Sequence, residues 1–168
     1  MKLILLQPFI AFLIFFGLPS DLPTYRKMME RSVDDDVIAD QFYNKCKSIG
    51  ESSPPIYLGY KAMSEFMLCN HVFSPVAKWS HFKKGRKILE EAISRSGEDT
   101  ELRFLRFSVQ SRVPSLLNYS NNLYDDKLVL MEYLKKEPLD KDLYNRIKAY
   151  LLQTKYCNTV EKEHLKTL

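Results

Sequence analysis

Five glycines in 168 residues leave too few permissive positions for the many tight turns of an all-β fold. Sustained apolar–polar alternation is missing as well, so no stretch reads as a half-buried strand. The three cysteines, Cys46, Cys69 and Cys157, match neither a disulfide framework nor a zinc spacing, and their odd number leaves at least one thiol unpaired. Cys46 and Cys69 are expected as small apolar residues on helix faces. His71, His81 and His164 are too scattered for a metal site, and His71 and His81 have no acid or cysteine at helical spacing to complete one. There is no serine elbow, no cysteine–histidine pairing and no glycine-rich phosphate loop. No cofactor, metal or catalytic residue is therefore expected, and the pattern favours an interaction role over an enzyme. Neither sign of charge dominates: 25 basic and 21 acidic residues give a net +4. Lysines and arginines alternate with acids along the chain as on a solvated surface, so nucleic-acid binding is not expected.

What is present begins with an apolar run. Lys2 precedes Leu3–Leu18, interrupted by Gln7 and Pro8, with Gly17, Pro19 and Ser20 at the exit. That is the layout of a secretory signal, and the run falls short of the ~20 residues that span a bilayer as a helix. Residues 1–20 are read as a signal peptide, with an uncleaved N-terminal anchor as the alternative, because cutting after Ser20 puts Leu18 where a small residue is preferred. The expected location is periplasmic or extracellular, with membrane contact through residues 1–20 alone. Asn118-Tyr119-Ser120 is a glycosylation sequon by pattern.

Residues 21–155 are expected to form one all-α domain of about seven helices packed as antiparallel pairs, with no sheet. Pro23 suits a first helical turn. Asp34, Asp35 and Asp36 open a second helix, where carboxylates favour the dipole; consecutive helical carboxylates diverge, which disfavours a metal reading. Its apolar face is Ile38, Phe42, Cys46 and Ile49. Ser53-Pro54-Pro55 and Ser74-Pro75 start the third and fourth helices. The third is apolar on two sides, with Lys61 and Glu65 as a narrow polar edge. The stretch Pro75–Pro114 reads as two antiparallel helices about the turn Ser96-Gly97-Glu98-Asp99. Leu123–Leu134 and Leu139–Leu151 carry the sixth and seventh, and residues 156–168 read as a polar, frayed tail.

Phe82, Gly85, Leu89 and Ala92 form an apolar seam with two small members, where a second helix is expected to approach closely. Residues 82–97 resemble the second helix of a tetratricopeptide unit: an aromatic, then small, bulky and small positions. Gly97, where proline is usual, and Arg103, where tryptophan is common, depart from that pattern, and the resemblance covers about one helix. The whole arrangement is similar to small secreted helical proteins, with a signal segment, a helix pair and an ELRFLRF-type helix ending in proline. That likeness implies compartment and fold, and no activity.

The fifth helix holds the candidate site. Arg103, Arg106 and Gln110 share one face, while Leu102, Leu105 and Val109 form another, extended by Phe104 and Phe107. Guanidinium groups on so apolar a helix require partners. Glu65, Glu91, Asp125 and Asp126 are the acids considered. The alternative is a groove in which the arginines grip a carboxylate or phosphate. Trp79 with Lys83 one turn on is either half-core or a recognition platform. The expected function is a secreted or periplasmic helical interaction module for a protein partner; anion binding by Arg103 and Arg106 is the alternative.

Overall fold

The computed structural model describes residues 21–168; the signal or anchor reading of residues 1–20 lies outside them. The described residues form eight α-helices and no strand: α1 Leu22–Arg31, α2 Asp36–Lys47, α3 Pro55–His71, α4 Pro75–Ser96, α5 Thr100–Gln110, α6 Leu123–Leu134, α7 Lys141–Gln153 and α8 Thr159–Thr167. A short 3-10 turn, Ser115–Leu117, follows Pro114.

Side chains placed just before several of the helices set their boundaries. Asp35, Ser74, Asp99 and Asp140 each accept a hydrogen bond from a backbone N–H three residues on, starting α2, α4, α5 and α7. Such caps satisfy donors that the first turn leaves without partners. Gly97 ends α4 with φ of 69°, a conformation that favours glycine.

Two apolar cores share α5. The first gathers Phe42, Cys46, Tyr60, Phe66, Phe82 and Leu89 from α2, α3 and α4 onto Leu102 and Leu105 of α5. The second gathers Leu130, Leu134, Ile147, Leu151 and Leu165 from α6, α7 and α8 onto Phe104 and Phe107. Opposite apolar faces of α5 thus each form part of a core, and its polar stripe runs between them.

The all-α expectation of about seven helices becomes eight among the described residues, because the segment read as a frayed tail folds as α8. Asn158 and Glu161 close a reciprocal capping box there, and Leu165 is fully buried. A single leucine removed from water contributes about 1.5–3 kcal/mol, and it acts together with the cap and with Cys157, which is buried in the same core. The helix that approaches the small-residue seam of α4 is α3. A Cβ on Gly85 would lie 3.1 Å from the Ala62 carbonyl oxygen and 3.1 Å from the Phe66 ring. Phe82, Leu89 and Ala92 are buried along the same seam.

Candidate functional site

The polar stripe of α5 faces acids of the bundle. Arg106 is 3% exposed. Its Nε and Nη2 donate to the two oxygens of Asp126 at 2.7 Å each, and its Nη1 donates to Glu90 at 2.9 Å. Burial works against the charge, yet the hydrogen bonds to Asp126 and Glu90 outweigh it and hold the guanidinium pKa above its ordinary value. Arg103 Nη1 donates to the same Asp126 at 3.1 Å, while its buried Nε has no hydrogen-bond partner among the described residues. Gln110 and Asn122 bond reciprocally at 3.2 Å, Gln110 Nε2 to the Asn122 side chain and the Asn122 backbone N–H to Gln110 Oε1. The three stripe residues therefore fasten α5 to α4 and to the start of α6. Of the acids considered from sequence, Asp126 serves both arginines. Glu65 bonds His81 at 2.6 Å, Glu91 lies 3.9 Å from Arg95, and Glu90 takes the remaining place beside Arg106.

A second buried cluster was not anticipated. Arg26 of α1, 2% exposed, donates through Nε and Nη2 to Glu101 at 2.7 Å each. It also reaches Asp140 at 2.8 Å and Asp142 at 3.0 Å, and the Tyr60 hydroxyl bonds Glu101 as well. Burial disfavours the Arg26 charge, but the bonds to Glu101 and Asp140 prevail and raise its pKa. The cluster ties the first core, through α1 and α3, to α7 of the second.

The cysteines are free, and burial pushes the Cys46 thiol up to about 12 and the Cys69 thiol to about 11, so neither supplies a thiolate near neutrality. His71 Nε2 bonds the Ser32 carbonyl at 2.7 Å. No group of three or more His, Cys, Asp or Glu among the described residues could hold a metal ion, and no helix among them is long and apolar enough to cross a membrane.

The α3–α4 turn and the start of α4 expose apolar side chains beside a run of cations. Phe73, in the α3–α4 turn, is 99% exposed, Val76 78% and Trp79 46%. Trp79 stacks on Phe82, with centroids 5.8 Å apart, and Phe82 meets the edge of Tyr119. Exposed along the same helix are Lys78, Lys83, Lys84, Arg86 and Lys87. Lys83 Nζ lies 5.7 Å above the Trp79 ring, and the Arg86 guanidinium 4.8 Å above Tyr119. No acid occurs from Phe66 to Leu89, so here the basic residues do not alternate with acids. The run was readable in the sequence as KWSHFKKGRK; averaging charge over the whole chain hides it. Compared with known proteins, the chain matches no family model, no curated protein and no solved structure.

Proposed function

We propose that the protein is an exported, non-catalytic helical interaction module whose α4 surface binds an acidic segment of a protein partner. The observation that carries this reading is the exposed apolar group Phe73, Val76 and Trp79 beside five cations with no acid among them. Apolar anchors displace water while a one-signed rim selects the opposite charge and speeds encounter. The Lys2-led apolar run supports the exported part. A shaped partner fits better than a flat anionic membrane. The Ser32 carbonyl lies against His71, which puts Asp34, Asp35 and Asp36 at the same end of the bundle as Phe73, where a membrane surface meets carboxylates as well as lysines.

The test places a photo-crosslinker at exposed Ser80, between Trp79 and Lys83, in the native source. The captured protein is then purified and titrated directly. The expected result is an acidic partner whose affinity falls at least tenfold with Lys83→Glu/Lys87→Glu or with Val76→Ser/Trp79→Ser, and which weakens as salt rises. Absence of a protein adduct, together with sedimentation on anionic vesicles or retardation of RNA, overturns the reading.

A further inference from the structure

Where α5 ends, the chain turns through Ser111–Pro114, and the segment between α7 and α8 closes against it. The two leave a cleft of about 320 Å³. Arg112 and Lys155 line it, both exposed, and no aspartate or glutamate does. Neither cation has a carboxylate within 4.0 Å among the described residues. Aromatic rings hold them instead: the Arg112 guanidinium lies 5.1 Å above Tyr150, and the Lys155 ammonium 5.3 Å above Tyr156. Tyr150 is itself fixed, its hydroxyl bonding Ser111 at 2.7 Å and the Ser108 carbonyl at 3.1 Å. Ser115 and Ser120 bring exposed hydroxyls to the same cleft. Tyr119 forms part of the wall, and the carboxylate it touches, Glu90, has its other oxygen on Arg106, so that negative charge is already compensated.

We propose that this cleft binds the phosphate group of a small organic phosphate. A phosphate monoester carries about −1.5 to −2 at neutral pH, which suits two cations and no acid. A guanidinium fork takes two phosphate oxygens in parallel, and an ammonium adds a movable point charge. The hydroxyls suit the remaining lone pairs. The volume accommodates a phosphate with a short organic tail, at the small end of the range for ligand sites. Both cations rest on rings, so binding orders them less than it orders a free lysine or arginine. The α4 surface is a separate site, although Arg86 above Tyr119 brings the two close.

The test is a titration of glycerol 3-phosphate and of inorganic phosphate into the full chain, followed by ³¹P line width and shift. Arg112→Gln/Lys155→Gln removes the cleft cations, and Lys83→Gln/Lys87→Gln removes an equal charge from α4. Glycerol 3-phosphate is expected to bind the wild type and the α4 variant alike, tighter than inorganic phosphate, and at least tenfold more weakly to the cleft variant. Acetate at matched ionic strength is expected not to compete. All four substitutions are at exposed positions, and coincident thermal melts verify the fold; single Lys155→Gln, expected to weaken binding severalfold, replaces the double variant if its melt drops. Equal binding by the cleft variant, loss in the α4 variant instead, or no spectral change with millimolar probe overturns the proposal.

Discussion

Replacing Arg106 probes how much the fold depends on its polar stripe. Arg106→Met keeps the stem and deletes three charge-assisted bonds, two to Asp126 and one to Glu90. Glu90 is partly exposed and can turn to water, with the Tyr119 hydroxyl still on one oxygen. Asp126 is fully buried and keeps one bond, from Arg103 at 3.1 Å. A buried charge that loses its main partner costs about 3–5 kcal/mol. For a chain of this size that lowers the melting temperature by roughly 10 °C, at about 2–4 °C per kcal/mol. Asp126→Leu alone leaves Arg106 with only its bond to Glu90 and takes the carboxylate from Arg103, and is expected to cost a similar ~3–5 kcal/mol. The double variant removes both sides of the pair and leaves Arg103, itself partly exposed, to find water. Its cost is therefore expected to fall short of the sum of the singles by about 2 kcal/mol or more. Urea unfolding followed by circular dichroism measures all four proteins. Additivity within about 0.5 kcal/mol would refute the claim that the pair is a desolvated unit.

Three further outcomes follow from other parts of the structure. Asp140 is held below its ordinary carboxylate value by the hydrogen bond from Arg26; at Asp142 burial opposes, but the bonds from Arg146 and Arg26 prevail in the same direction. Both are lowered in the fold, so the stability they add is complete above about pH 4 and lost as pH falls through their folded values. Asp140→Asn keeps a competent helix cap and is expected to flatten the acid limb of urea midpoint against pH; a superimposable limb removes the assignment. Gly85→Leu forces a side chain against the Ala62 carbonyl and the Phe66 ring and is expected to destabilise by ~1–3 kcal/mol. Gly50→Ala, with nothing within 4 Å of the new Cβ, serves as its control, and equal melts for the two refute close approach at Gly85. Ending the chain at Lys155 removes Cys157 and fully buried Leu165 from the second core; a fall of about 1.5–3 kcal/mol or more is expected, and an unchanged urea midpoint shows that α8 does not stabilise the bundle.

The fold was legible where its causes are local. Asp35, Ser74, Asp99 and Asp140 sit just before helices that they cap, and each lies three residues from the N–H it accepts. The apolar faces of α5 were readable from spacing alone. The end of the chain was misread because its composition is polar and a single buried leucine carries little weight in a window average. The cue was nevertheless present: Asn158 and Glu161 stand at capping-box spacing, as local a signal as the others.

The side-chain clusters divide differently. Arg106 was identifiable as needing an acid because its helix is apolar, but Asp126 is 20 residues away, and Arg26 meets Glu101 across 75 residues. Nothing in spacing selects those pairs, because their geometry is made by the packing of α1, α5 and α6. On α4 the same reasoning applies in reverse. Its cations lie on an exposed stripe, and the chain supplies no acid between Phe66 and Leu89 to neutralise them. A cation on an apolar helix must be paired within the fold, since burying it alone costs several kcal/mol; a cation on a solvated stripe needs no partner for folding. The acids around a basic residue, rather than the number of basic residues, decide whether its charge is used inside the bundle or remains available at the surface. By that criterion Arg106 and Arg26 belong to the architecture, and the α4 lysines, Arg112 and Lys155 are the charges open to a partner or a ligand.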